Sequence, residues 1–307
     1  MKTTKLTLAL AGLMIASAAI VSSCKKNDNN TTTTDSDTST ASDHTMAENT
    51  SADVDNMVGE ASEQGTMSSY RMGSSQEAVS AVGCGTVNYD SINRKITVTF
   101  NSSTTCLDGR TRSGSLTFDY SASPSGVKYY RNPGFTCNVT SQNYMVDGNS
   151  VSINKTVTNT TPSGFNPSTT NLTWAITSTV SITKASGGTL TWNCSRTKTL
   201  LNTSDAAVYQ DQSTHINWAA ARIGISGSAS GTTAAGVNYT ATVTTQLVRD
   251  MSCAPDANRP GRHPFIQGNI DFTPGTKATR HIDYGSGSCD MTATVTINNH
   301  TYTITLP

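Results

Sequence analysis

The residues equipped for chemistry are few and scattered. Five histidines occur, His44, His215, His263, His281 and His300. None is spaced as HxH or HExxH, which would bring two imidazoles to one face of an element for a zinc ion. No metal site and no cofactor is expected. No GxSxG elbow singles out one serine as a nucleophile. Glycoside hydrolysis would need two carboxylates flanking one bond. Yet no glutamate follows Gly83, and Asp108, Asp147 and Asp290 stand beside turns, where bonding to nearby backbone accounts for them. Convergence of Asp108, Asp119, Asp283 and Asp290 in one cleft would mark an extracytoplasmic hydrolase acting on glycan or another polymer. A flat or aromatic patch would instead mark a binding or structural module.

Candidate binding residues are easier to name. Arg259-Pro-Gly-Arg262-His263 gathers two guanidiniums and an imidazole within five residues and could hold an anion. A solvated loop is the plainer reading. Trp174, Trp192 and Trp218 could stack on sugars, but each falls at the apolar phase of its segment, which points to the core. Tyr129 and Tyr130, with Lys128 and Arg131 around them, break the strand alternation, so 128–132 is the expected recognition loop, with an edge strand as the alternative. Asp90-Ser91-Ile92 sits in the expected first hairpin turn and has the Asp-Ser-apolar form of an O-glycosylation site at Ser91.

The sharpest signal is at the start. Lys2 and Lys5 precede an uncharged run, Leu6 to Val21, then Ser22, Ser23 and Cys24. That is the layout of a secretory leader, and the run is short for a membrane span. A cysteine at the expected first mature position can accept a diacylglycerol, so residues 1–23 read as a lipoprotein signal peptide and Cys24 as the lipidated residue. Acyl chains at about 0.8 kcal/mol per buried CH2 would then hold the chain to a membrane. Cys84, Cys106, Cys137, Cys194, Cys253 and Cys289 remain, a set able to pair in an oxidising compartment. Chain order, with a weak repeat relating Ile96–Gly109 to His281–Thr292, favours Cys84 with Cys106 and Cys253 with Cys289. Cys137 is left for Cys194, unless those thiols are reduced and buried.

Positioning these groups falls to the rest of the chain. Residues 24–45 are polar and low in complexity, too poor in apolar surface to offset ordering, and read as a disordered tether. In 46–64, Ala47, Val54, Met57, Val58 and Ala61 recur near helical spacing among acids, predicting one short amphipathic helix. From Cys24 to Gln64 two lysines face nine acids, a balance of −7, while Gly65 to Pro307 carries +5. The acidic arm could dock on the basic part, although solvated acid is the commoner meaning of such a run. After a linker over 65–83, the pattern of 84–307 changes to period two. Ile96, Val98 and Phe100 alternate with threonines, as do Leu172, Trp174 and Ile176, then Tyr302 and Ile304. Asp108-Gly109, Asp147-Gly148, Gly187-Gly188, Pro274-Gly275 and Asn298-Asn299 supply turns too short for crossovers, so the strands must run antiparallel. The expected fold is all-β, an antiparallel sandwich or a long twisted meander, preceded by one short helix. A charge of +5 without a stripe argues against nucleic acid.

The leader, the KKNDNN after Cys24, and the phrases CLDGRTRSGSLTFDYS and IDYGSGSCDMTATVTINN together resemble a group of uncharacterised outer-membrane lipoproteins of Bacteroidetes. The resemblance implies a lipid-anchored envelope or surface protein, with Lys25 in place of Asp pointing away from the inner membrane. It brings no catalytic residue with it. The expected role is non-catalytic binding, adhesion or structure, with a glycan or surface protein as ligand.

Overall fold

The computed structural model describes residues 35, 37–63, 84–101, 105, 106, 108–211, 213–259 and 261–306, without the side chains of 60 and 63. The leader, Cys24, most of the tether and the linker 65–83 lie outside the described residues. One helix, α1 (Ser39–Glu63), precedes thirteen strands. These are β1 (Gly85–Asp90), β2 (Lys95–Phe100), β3 (Arg112–Asp119), β4 (Thr136–Val146), β5 (Asn149–Asn159), β6 (Thr173–Thr183), β7 (Thr189–Leu200), β8 (Arg222–Thr232), β9 (Asn238–Asp250), β10 (Phe265–Pro274), β11 (Arg280–Ser286), β12 (Thr292–Ile297) and β13 (His300–Thr305). Every strand pairs antiparallel with its sequence neighbours in a single sheet. Of the two architectures expected, the meander is therefore the one formed.

The turns explain the connectivity. Asp147-Gly148 and Asn298-Asn299 all take positive φ, 50° and 78° in the first pair, 49° and 64° in the second. That is the two-residue geometry whose twist matches a right-handed hairpin. Bulges at Gly114, Gly227 and Gly268 bend the ladder where an added Cβ would meet backbone of the adjoining strand at 2.1 to 2.3 Å. Inward positions form the core: Ile96, Leu116, Phe118, Val157, Trp174, Val180, Trp192, Phe272, Ile282 and Val295 are all buried. Outward positions are mostly threonine, serine and asparagine; the exposed large hydrophobics are Ile92 and Met145. A barrel in lipid would need an apolar outer band.

The helix differs most from expectation. It begins at Ser39, seven residues earlier than the predicted Met46, so its first two turns fall in what reads as tether. It is also not a solvated face, because the sheet curls around it. Ala41, Ala47, Val54 and Met57 are buried, and so are Asp43, His44, Glu48, Asn49 and Asp55. A 25-residue helix is about 37 Å long, matching the 11- to 13-residue strands β4 to β9 at roughly 3.3 Å per residue. Small inward side chains, Ser178 on β6 and Cys194 on β7, lie where the helix approaches the wall. An added Cβ on Gly59 would stand 3.1 Å from the Trp218 ring.

Burying carboxylates without partners would cost several kcal/mol each, and each partner comes from the wall. Asp35 meets Arg280 at 2.7 Å, Asp43 meets Lys184 at 2.8 Å, Glu48 meets Arg196 at 2.5 Å and Asp55 meets Lys155 at 2.8 Å. Asp53 is shared by Arg110 at 2.9 Å and Arg249 at 3.3 Å. Burial alone would raise the Glu48 carboxyl, but Arg196 and His44 outweigh it and hold it low. The described carboxylates of the acidic arm, from Asp35 to Asp55, are thus paired with cations of the sheet and its turns.

Two consequences can be measured. Glu48→Gln strands the buried Arg196 and should cost about 3–5 kcal/mol in denaturant unfolding, whereas Glu48→Met with Arg196→Met should recover most of the loss. Burial also holds the His44 imidazole down at about 4, against the pull of Glu48 and with Arg196 adding to it. The folded state keeps His44 neutral while the unfolded chain takes up a proton near the ordinary 6.5, so stability falls as pH drops from 6.5 toward 4. Urea titrations across that window should show a loss of about 3 kcal/mol that His44→Phe abolishes. An identical slope in the variant would show that the imidazole is not the group titrating.

Candidate functional site

At one rim the wall and helix leave a small, solvent-open cleft of about 40 Å³, lined by Asn49, Asp53, Asn56, Asp108, Arg110, Arg249, Arg262 and His263, with Pro264, Met291 and Leu306 as its apolar part. Its residues come from distant parts of the ladder. In a flat meander the start of β3 and the end of β9 would lie at opposite rims. Strong coiling of the sheet brings them together. A second feature closes the cleft: Gly109, at φ 77°, lies so close to the Arg259 side chain that a Cβ would approach its Cδ to 2.8 Å. The Asp108-Gly109 turn and the basic loop therefore pack directly on each other.

The loop itself is well held. Cys253, after β9, is disulfide-bonded to Cys289, before β12. The His263 Nδ1 lies 2.9 Å from the Cys253 carbonyl, and Arg262 donates from Nη2 to the Leu306 carbonyl at 2.9 Å. A carbonyl can only accept, so His263 donates from Nδ1, and burial depresses its pKa and favours the neutral ring. Its Nε2 is then an acceptor.

Around Asp53 the guanidiniums crowd. Arg112 makes two bonds to Asp108, at 2.9 and 2.5 Å, and lies 3.9 Å from Asp53. Arg110 bridges Asp53 and Asp147, at 2.9 and 3.0 Å. Arg249 donates to Asn49 at 3.2 Å as well as to Asp53. Burial opposes ionisation of Asp53, but Arg110, Arg249 and Arg112 hold its carboxyl below the usual range. Arg262 has no carboxylate partner among the described residues. Burial, then Arg110 and Arg259, depress its basicity. The expected basic loop is thus part of a built site rather than a solvated turn.

The other sequence expectations fare differently. Asp108, Asp119, Asp283 and Asp290 do not converge: Asp119 pairs with Lys95 at 3.2 Å, and Asp283 and Asp290 accept from the backbone of Gly285 and Thr292. Trp174 and Trp192 are core residues, as expected. Segment 128–132 is a loop, but Tyr130 and Arg131 are buried, which corrects their reading as a recognition surface. Tyr130 stacks on Trp174 at 4.8 Å, and its carbonyl accepts from Trp174 and Asn159, both at 3.0 Å, so it closes one end of the curled sheet. Tyr129 is half-buried beneath the Arg131 guanidinium, 4.1 Å away. Ser91 is exposed beside Ile92 in the β1–β2 turn. Among the described residues no cluster of three or more potential metal ligands occurs.

Cys84 pairs with Cys106 and Cys253 with Cys289, as expected, but Cys137 and Cys194 are unpaired thiols. They lie on β4 and β7, three strand spacings or roughly 14 Å apart along the sheet, beyond disulfide reach. Burial raises both thiols, Cys194 to about 12. No family model matches the chain, and neither curated proteins nor solved structures give a match. In Cys24→Ala protein, thiol titration should find two reactive cysteines in denaturant and a slow or absent reaction in the native state; zero under denaturant would mean that Cys137 and Cys194 are bridged.

Proposed function

We propose that the protein is an outer-membrane lipoprotein, held by acyl groups on Cys24, whose folded part is a non-catalytic binding module that takes its ligand at the arginine cleft. The single observation that carries the binding reading is the cleft itself, where Arg110, just ahead of β3, and Arg249 on β9 meet the helical Asp53, and Arg262 of the basic loop lies beside them in an opening to solvent. Asp119, Asp283 and Asp290 are not in its lining, and the two carboxylates that are, Asp53 and Asp108, are held by arginines. The anchor reading is supported by the leader and Cys24, and by two disulfides, which suit an oxidising compartment. The resemblance to Bacteroidetes lipoproteins points the same way.

On this reading the membrane is reached through lipid, the ligand is a glycan or a surface protein, and nucleic acid is not a partner. Many cations of the domain face α1 rather than solvent, so they form no outward stripe. The exposed Asp90-Ser91-Ile92 turn is where an O-linked glycan would be added.

Intact mass of protein from its native membrane should exceed that of the chain from Cys24 by a diacylglycerol and acyl group, and Cys24→Ala should abolish the increment. Protease shaving of whole cells should remove the protein if it faces outward. A mature chain that begins elsewhere and carries no lipid would overturn the anchor.

A further inference from the structure

The cleft's charge and its neutral lining together restrict what it can hold. Four guanidiniums line or border it, those of Arg110, Arg112, Arg249 and Arg262, against the carboxylates of Asp53, Asp108 and Asp147. Arg259 is offset by Asp256 at 3.4 Å. One positive charge remains, and it falls on Arg262. Of that side chain's five N–H donors, one is spent on the Leu306 carbonyl. Arg110 uses Nη1 on Asp53 and Nε on Asp147, and its Nη2 has no partner among the described residues. A single planar anion between Arg262 and Arg110 would satisfy both and relieve the repulsion that depresses Arg262.

The uncharged lining asks for hydroxyl groups. His263 presents Nε2 as an acceptor, because its Nδ1 proton is committed to Cys253. Asn49 has its oxygen engaged by Arg249, which leaves its amide N–H groups as donors. The Asn56 side chain, also in the lining, carries both a donor and an acceptor. Donors and acceptors around a small apolar floor of Pro264, Met291 and Leu306 suit groups that both give and take hydrogen bonds.

We propose that the cleft binds a carboxylated sugar, its carboxylate held by Arg262 and Arg110 and its hydroxyls by Asn49, Asn56 and His263. This rests on reading the cleft as the ligand site. The singly charged carboxylate matches the one surplus guanidinium; a phosphate monoester would bring more negative charge than the cleft can neutralise.

The test is calorimetric titration of the full chain carrying Cys24→Ala with galacturonic acid, galactose, galactose 6-sulfate and acetate, with amide chemical shifts to locate binding. Galacturonic acid should bind at least about tenfold more tightly than galactose, the size of one charge-assisted hydrogen bond, and more tightly than acetate. Arg262→Gln, which touches only a carbonyl, should erase that preference without lowering the melting temperature. Asn56→Ala should weaken acid and neutral sugar alike. Equal binding of galactose and galacturonic acid at the cleft overturns the carboxylate while the ligand site stands. Acetate binding as tightly as galacturonic acid overturns the sugar, and tighter binding of the sulfate ester overturns the carboxylate. Shifts remote from the cleft overturn both the class and the site. No saturable binding by any of the four overturns the inference.

Discussion

The structure depends on ion pairs between an acidic helix and a cationic wall, formed where water is largely excluded. Glu48 and Arg196, and Asp55 and Lys155, are buried on both sides of the pair. Removing such charges from water costs about as much as their attraction returns, so these pairs are weak contributors to net stability compared with an apolar core. What they fix is arrangement. Arg112, Lys155, Arg196, Arg249 and Arg280 belong to β3, β5, β7, β9 and β11, while the acids they meet run from Asp35, ahead of α1, to Glu48, Asp53 and Asp55 on either side of its midpoint. Sliding or rotating the helix by one residue, roughly 100°, would strand several buried charges at once. Specific seating of α1 follows from that penalty more than from apolar complementarity.

The cleft follows from the same constraint. Asp53 lies where coiling of the sheet brings the start of β3 to the end of β9, and three arginines therefore compete for one carboxylate. Asp43, Glu48 and Asp55 on the same helix each have their own cation. The rim is where the matching fails by one charge, and the basic loop adds Arg262 to that imbalance. In that region of local electrostatic mismatch, open to solvent and braced by Cys253–Cys289, surplus donors are not consumed by folding.

Much of this was legible, and the gaps have physical causes. Period-two patterning and paired turn residues such as Asp147-Gly148 disclosed the antiparallel order, because alternation and positive-φ turns are local properties. Strand β8, RIGISGSASGT, is hidden from such reading by its glycines and serines, yet it pairs with β7 from Ile223 to Thr232 and with β9 on both sides of its bulge. The helix was placed but shortened, since Thr40, His44 and Thr45 look like tether until the wall that buries them exists. Tyr130 and Arg131 break alternation as a surface loop would, but a loop folded over the end of a curled sheet does so equally. The overlooked signal was charge in the apolar phase: Lys155 between Ile153 and Val157, and Arg196 and Lys198 between Trp192 and Leu200. Set against an arm of −7, those misplaced cations mark the inner wall. The cleft was legible only as its basic loop, because Asp53 and Arg249 are 196 residues apart.

A filled interior shapes what the molecule can do. In a curled sheet of this size the lumen would be the natural ligand site, but here α1 occupies it and commits Asp43, Glu48, Asp53 and Asp55 to cations of the wall and its turns. The outer face offers little in exchange, because its hydroxyls often satisfy one another across strands: Thr183 with Thr189 at 3.0 Å, Thr191 with Thr232 at 2.8 Å, Thr296 with Thr301 at 3.0 Å. Such pairs reduce the donors left for a ligand. Unspent N–H groups are thereby left at the rim, where helix, loop and strand ends meet. The ion-pair pattern that seats the helix thus also decides which part of the surface remains chemically available.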